Sequence, residues 1–121
     1  MKLLFVYNAK TGFFNKSADW LHKAISPSTY ACSLCSLSHT NFKEKEDWTN
    51  ELGKLNEEIE FYYKDEFIKK YNLTNLEFPL VGTFINEGFK ILLSSSEINQ
   101  QENIKDFFTE LNLKIKLVLN A

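Results

Sequence analysis

A nearly continuous apolar run close to the start of the chain, KLLFVYNA from Lys2 to Ala9, constrains the fold more than any other stretch of the sequence. Apolar runs without alternating polar residues are typical of strands buried on both faces, and such strands lie inside sheets that helices cover. Asn8 and Gly12 end the run with residues that favour loops. The run therefore predicts the central strand of an α/β sheet.

After this strand the apolar residues recur with the period of a helix. One helical face should hold Phe14, Ala18, Leu21 and Ile25. Pro27 should end this first helix, because proline lacks an N–H group and restricts the residue before it. A second helix is expected after a cap at Thr40 or Asn41, with apolar side chains at Phe42, Trp48, Leu52 and Leu55.

A second strand and helix follow, and then a hairpin. Glu58–Tyr63 (EIEFYY) is rich in strand-forming side chains, and Lys64–Tyr71 (KDEFIKKY) predicts a short helix with Asp65 in its first turn. The stretches FPLVGTFI and FKILLS flank Asn86–Gly88, whose Asn and Gly suit a tight turn. These two stretches should pair as antiparallel strands.

The C-terminal part of the chain begins with a helix signal. Ser94 and Glu97 have the spacing of a capping box. The apolar stripe of the helix that follows should consist of Ile104, Phe107, Phe108 and Leu111. Leu113–Leu119 (LKIKLVL) alternates apolar residues with Lys114 and Lys116, which favours an edge strand protected by its lysines. A helical tail is the alternative for these last residues.

Length and composition favour one domain. The chain has 121 residues, of which 44% are hydrophobic, and such a chain can bury a core without disulfides or metals. The sequence contains no internal repeat and no linker rich in glycine and proline. We therefore expect a single α/β domain over residues 1–121, with a mixed sheet of four or five strands.

Charge and hydropathy argue against several classes of function. The chain has 14 Lys+Arg and 16 Asp+Glu, a formal net charge of −2, and so lacks the positive field that attracts nucleic acids. No apolar run reaches the roughly 20 residues that span a bilayer, and the start of the chain becomes polar too soon for a signal peptide. We expect a cytoplasmic protein without a nucleic-acid or membrane partner, in a compartment that keeps thiols reduced.

The stretch FPLVGTFINEGFKILLSSSEI, residues 78–98, resembles the thioredoxin and glutaredoxin superfamily. In that superfamily a cis-proline opens a strand, a turn with glycine follows, and the last helix begins soon after the second hairpin strand. The resemblance implies a thioredoxin-like core with Pro79 as the cis-proline. In redox-active members a Cys-x-x-Cys motif directly follows the first strand, but here that place reads NAKTGFFN. The cysteines of this chain come later, in an apparent insertion, so redox activity is not transferred residue by residue.

A second resemblance concerns the cysteine segment itself. SPSTYACSLCSL, followed downstream by KDEF, is similar to a family of small uncharacterised bacterial proteins, some of which bear a GTPase label. A phosphate-binding loop requires closely spaced glycines and a lysine. The glycines of this chain are scattered, at Gly12, Gly53, Gly82 and Gly88. The sequence therefore gives the GTPase label no support.

The cysteines and histidines form the most distinctive set of side chains. Cys32, Cys35 and His39 are separated by three and four residues, a spacing that can bring them to one side of a helix or turn. His22 could approach them through a loop around Pro27. The four side chains are every cysteine and histidine in the chain, and thiolate with imidazole suits Zn²⁺. We therefore predict a small metal-binding protein with a zinc site at His22, Cys32, Cys35 and His39.

Three alternatives stay open. Cys32 and Cys35 could form a redox dithiol of a thiol-disulfide oxidoreductase, with Cys32 as the attacking thiolate and Cys35 as the resolving thiol. The same cysteines could be small buried hydrophobic residues. Finally, the protein could be a non-enzymatic interaction module that binds a partner protein, or a second copy of itself, through a C-terminal strand at 113–119.

Overall fold

The computed structural model describes residues 1–12, 32–40, 43–86 and 88–120. The helix predicted from Phe14 to Pro27 lies outside these ranges, and so does the predicted metal ligand His22. In the described part of the chain no helix has both the length and the apolar character needed to cross a membrane.

Strands and short helices alternate along the described residues. The strands are β1 (Lys2–Tyr7), β2 (His39–Thr40), β3 (Lys43–Glu44), β4 (Glu58–Tyr63), β5 (Leu80–Ile85) and β6 (Gly88–Leu93). The helices are α1 (Ser33–Ser38), α2 (Glu46–Gly53), α3 (Lys64–Tyr71), α4 (Ser95–Asn99) and α5 (Ile104–Leu119).

The main sheet has four strands in the order β4-β1-β5-β6. β1 pairs in parallel with β4, with Tyr7 opposite Tyr63, and pairs antiparallel with β5, with Val6 opposite Leu80. β5 and β6 form an antiparallel hairpin, and β2 and β3 form a separate two-stranded sheet. The prediction of a mixed α/β sheet with a central first strand is confirmed.

β1 supplies the core on both faces of the sheet, because successive side chains of a strand point to opposite sides. On the first face Leu3, Phe5 and Tyr7 belong to a large buried cluster that includes side chains of α1, α2, α4 and α5. On the second face Leu4 and Val6 pack in a smaller cluster against α3.

Two local predictions are confirmed at the hairpin and after it. Gly88 has a φ of +127°, a backbone conformation that favours glycine. Ser94 and Glu97 form the predicted capping box: the Glu97 N–H donates to Ser94 Oγ at 3.2 Å, and the Ser94 N–H donates to Glu97 Oε1 at 3.0 Å. The helix that they start ends at Asn99, however, and a second cap at Asn103 starts α5.

The edge strand predicted at Leu113–Leu119 is wrong, since these residues are the second half of α5. Leu111, Ile115 and Val118 pack against the large cluster, at helical rather than strand spacing. Lys114 forms an ion pair with Glu97 at 2.9 Å and so ties α5 to α4 instead of protecting an edge. A partner or a second copy of the chain therefore has no C-terminal strand at 113–119 to which it could add.

The second helix begins later than the sequence predicted. Thr40 lies in the short strand β2, and α2 begins at Glu46; the other expected cap, Asn41, and Phe42 lie outside the described residues. The antiparallel pairing of His39 with Glu44 holds the backbone extended where helix was expected. Trp48 is fully buried, as its place in the predicted apolar stripe requires.

Candidate functional site

The cysteine segment is a helix, one of the two conformations that its spacing left open. α1 is six residues long, Cys32 is its N-cap, and the buried side chains of Leu34, Cys35 and Leu37 attach it to the large cluster. SLCSLS has weak intrinsic helix preference, because serine and cysteine are poor helix formers. Its helical conformation therefore depends on burial of the two leucines against the sheet.

Cys32 and Cys35 are joined to each other by a disulfide. Their Cα atoms are 5.2 Å apart, within the usual range for bonded cysteines. The Cys35 N–H also donates a hydrogen bond to Cys32 Sγ at 3.2 Å, which is the contact that an N-cap side chain makes with the first turn. Both residues are nearly fully buried, with 2% and 4% of their surface exposed.

A groove runs along the side of the cysteine helix. Its volume is about 930 Å³, and it is bounded by Ser33 and Ser36 of α1, by α2 and by residues 101–105. Lys45 crosses one end of the groove, where its Nζ donates to the Ser36 carbonyl oxygen at 2.8 Å. The residues next to each cysteine therefore border open space although the sulfurs themselves are buried.

The predicted cis-proline is confirmed, since the Phe78–Pro79 peptide is cis. Pro79 directly precedes β5, and the register of β5 against β1 places it beside the end of β1. The helix α4 links this end of the sheet to the cysteines: Ser95 Oγ donates to the Phe78 carbonyl oxygen at 3.3 Å, and Ser33 Oγ donates to Asn99 Oδ1. The disulfide helix and Phe78, the residue before the cis-proline, thus contact opposite ends of one five-residue helix.

His39 is the C-cap of α1 and has extended backbone angles. Its Nδ1 is 2.7 Å from Ser38 Oγ, and its ring meets the ring of Tyr7 edge-on at a centroid distance of 6.0 Å. Burial lowers the pKa of His39, with Lys45 acting in the same direction and the Glu44 carboxylate opposing. The histidine therefore faces β1 and the short hairpin.

The predicted zinc ligands are not brought together in the described residues. Within 1–12, 32–40, 43–86 and 88–120, no three His, Cys, Asp or Glu side chains form a group that could hold a metal ion. Cys32 and Cys35 meet each other, His39 contacts Ser38 and Tyr7, and His22 lies outside the described residues. The zinc site stays a prediction.

Sequence reasoning missed two groups next to the cysteines. Ser33 and Asn99 are 66 positions apart, and no local pattern connects them. Ser38 is completely buried and donates to the Leu34 carbonyl oxygen at 2.9 Å, beside the buried Tyr7, whose pKa burial raises. A serine within a serine-rich segment carries no signal that it will be buried, so only the packing identifies it.

Comparison of the chain with protein-family models, with curated proteins and with solved structures gave no match.

Proposed function

We propose that the protein is a thiol-disulfide oxidoreductase that uses Cys32 and Cys35 as its redox pair. The observation that supports this function best is the disulfide between a helix N-cap and the third residue after it. Two cysteines so close in the chain can alternate between dithiol and disulfide with little rearrangement of the fold. In the cytoplasm, where we infer that the protein works, such a disulfide is usually transient and catalytic or redox-sensing.

The local hydrogen bond supports Cys32 as the attacking residue. In the reduced protein the Cys35 N–H, which lies 3.2 Å from Cys32 Sγ, would stabilise a negative sulfur and so favour the thiolate. Cys32 and Cys35 both belong to the large buried cluster, so this hydrogen bond, and not burial, is the reason to assign Cys35 as the resolving thiol. Attack by the Cys32 thiolate on a substrate disulfide forms a mixed disulfide and releases one substrate thiolate, which takes up a proton.

Cys35 then completes the exchange. Its thiol loses a proton and attacks Cys32 Sγ, the Cys32–substrate bond breaks, and the second substrate thiolate leaves and is protonated. Two electrons and two protons have then passed from the cysteine pair to the substrate. A small thiol such as glutathione can supply the electrons for the return, in which two thiols become one disulfide and Cys32–Cys35 is reduced.

The sheet supports a thioredoxin-like core as part of this proposal. A parallel β1–β4 pair, an antiparallel hairpin that begins after a cis-proline, and a helix that begins after the hairpin occur in the expected order. The cysteine helix α1 lies in the connection between β1 and β4. We infer that it takes the place of the first helix of the superfamily.

The test is thiol exchange with glutathione, and the chain makes it unambiguous because it has no other cysteine. The wild type should shift between two free thiols and none as the glutathione potential changes. Cys35→Ser should accumulate a mixed disulfide with glutathione at Cys32, whereas Cys32→Ser should accumulate far less. Ser36→Ala, which keeps both cysteines, is the matched control. Equal trapping in both cysteine variants, or no exchange above the rate of free cysteine, would contradict the proposal.

The zinc hypothesis requires the same two sulfurs in another state. A metal binds thiolates, and a disulfide offers none, so reduced protein must be used. Metal analysis of reduced protein purified without added metal should show little zinc if the pair is redox-active. Stoichiometric zinc that is lost in Cys32→Ser and in His22→Ala would instead favour the metal site.

A further inference from the structure

A second cavity lies at the carboxyl ends of the parallel strands β1 and β4. It has a volume of about 230 Å³. It is lined by Tyr7, His39, Glu44, Phe61, Tyr62, Tyr63 and Glu66. Ligands of open α/β sheets commonly bind beyond the carboxyl ends of strands, and this cavity is smaller than the usual site of a drug-sized molecule.

Aromatic rings form one side of this cavity. The ring of Phe61 is 40% exposed and stacks on Tyr7 at a centroid distance of 6.0 Å and an angle of 14°. Tyr63 meets Tyr7 at 6.5 Å, and His39 meets it edge-on. Faces of phenyl and phenol rings attract cations, because the ring quadrupole is negative above the plane.

Glu44 and Glu66 also line the cavity. Glu66 uses Oε1 to accept the Tyr63 N–H at 3.1 Å, and Glu44 uses Oε1 to accept the Thr49 hydroxyl at 2.8 Å. Among the residues that the structure describes, neither glutamate is in an ion pair. The nearby Lys45 directs its ammonium to the Ser36 carbonyl oxygen.

Glu44 and Glu66 supply carboxylates to this cavity, and carboxylates attract cations. The lining therefore combines two acidic side chains with aromatic rings. A cation in this cavity would be attracted both by the aromatic rings and by the carboxylates. A neutral molecule of the same shape would lack both electrostatic attractions and should bind more weakly.

We propose that this cavity binds a small organic cation, an alkylammonium or quaternary ammonium ion, between the rings of Phe61 and Tyr63 and the carboxylates of Glu44 and Glu66. Neither Cys32 nor Cys35 lines this cavity.

Choline is a suitable probe, with 3,3-dimethyl-1-butanol as its uncharged analogue of the same shape. Backbone amide NMR shifts, measured on the full chain during titration, should show saturable binding of choline near Tyr63 and Glu66. The neutral analogue should bind at least about fivefold more weakly, since cation–π contacts contribute about 1 kcal/mol at partly exposed sites. Equal binding of the two compounds, or no saturation with choline at tens of millimolar, would overturn the proposal.

Paired substitutions test the carboxylates. Glu44→Gln together with Glu66→Gln removes both charges but keeps an oxygen that can accept from Thr49 and Tyr63, so the fold should persist. Choline binding should weaken about tenfold, and added salt should weaken wild-type binding. Glu58→Gln with Glu77→Gln changes the net charge equally at exposed positions outside the cavity and should bind choline like the wild type. Wild-type affinity in the first pair, or equal loss in both pairs, would contradict the site.

Discussion

The two faces of the sheet are covered very differently. On the first face the side chains of β1 lie under α1, α2, α4 and α5, in a continuous buried cluster that includes both cysteines. Among the residues that the structure describes, few are fully buried on the second face, and α3 packs on them through Phe67. Aromatic rings that remain partly exposed complete this second side: Tyr62, Tyr71, Phe78 and Phe89.

The two faces therefore differ in which sites they carry and in how they are packed. The first face holds the proposed redox pair and the groove beside it, both supported by a core that several elements share. The second face is held by ring contacts around one side chain: Phe67 lies 5.2 Å from Tyr71 and 5.3 Å from Phe89, between ring centroids. We therefore expect truncation of a buried side chain to lower the free energy of unfolding more on the first face, because fewer of its neighbours can move into the space that the side chain leaves.

The largest expected effect is that of Phe107→Ala. Phe107 is fully buried and contacts Trp48 at 5.4 Å and Phe108 at 5.1 Å between ring centroids. Truncation should lower the free energy of unfolding by about 4–5 kcal/mol, because a cavity inside shared packing collapses poorly. Urea denaturation followed by circular dichroism measures the change.

Phe67→Ala is the matched variant on the second face, since Phe67 is equally buried. Its loss should be smaller, about 3 kcal/mol, because the half-exposed rings of Tyr71 and Phe89 can move into the space. A loss as large as that of Phe107→Ala would show that the second face is packed as rigidly as the first.

Gly82→Ala should have an intermediate effect. A Cβ at Gly82 would clash with the ring of Phe89 and come within 2.8 Å of the Lys90 carbonyl oxygen, and the backbone oxygen of a paired strand has little freedom to move. Thermal or urea unfolding should show a loss of about 1–3 kcal/mol.

The control for this glycine is Gly53→Ala, at the end of α2. A Cβ at Gly53 meets nothing within 4 Å, so alanine should be neutral or stabilise by about 0.4–1 kcal/mol through the unfolded state. If Gly82→Ala and Gly53→Ala changed the stability equally, the β5–β6 hairpin would have room for a Cβ at Gly82, and its packing would be less tight than the distances to Phe89 and Lys90 indicate.

The smallest effect is expected at Glu97, whose ion pair with Lys114 joins α4 to α5 at the surface. The Ser94 N–H, and then the Lys114 ammonium, hold the pKa of Glu97 below its ordinary value of 4.5. The unfolded state therefore binds the proton first, and the contribution of Glu97 to stability is lost as the pH falls from about 4.5 through the lowered folded-state pKa.

Glu97→Gln should destabilise by only about 0.5 kcal/mol at pH 7, because the side chain is partly exposed and glutamine can still cap. The difference between wild type and variant should vanish in acid, whereas Glu77→Gln, an exposed control outside the observed ion pairs, should differ little from wild type at either pH. A difference that persists below the lowered pKa would mean that the carboxylate acts by shape and not by charge.

Elements with strong local signals were predicted well. Glu58–Tyr63 and the Asn86–Gly88 turn were found from residue type alone, and the capping box of Ser94 and Glu97 lies where the spacing indicated. In each case the residues that decide the structure are neighbours in the chain. The cysteines were also identified as the candidate site, but their state was left among alternatives, because thiol spacing permits metal, disulfide or core packing.

The predictions that failed concern segments whose local patterns permit two structures. Leu113–Leu119 alternates like a strand, yet Ile115 and Val118 also continue the helical stripe of α5. SLCSLS shows neither period, so helix and turn were both left open for it; burial of Leu34 and Leu37 against the sheet makes it helical. A short alternating stretch is compatible with both conformations until its neighbours bury one face.

By itself the sequence determined a buried first strand, a second strand and an antiparallel hairpin, because each follows from residue type and from the cost of exposing apolar side chains. The cis-proline was implied by a resemblance, and the state of the cysteines was left open. Tertiary structure alone decided that Cys32 caps a helix, that Ser33 meets Asn99, and that Tyr7, Phe61 and Glu66 surround one cavity. These contacts join residues distant in the chain. Their formation depends on how the sheet and helices share one core, and that packing is a property of the whole chain which no short stretch of it encodes.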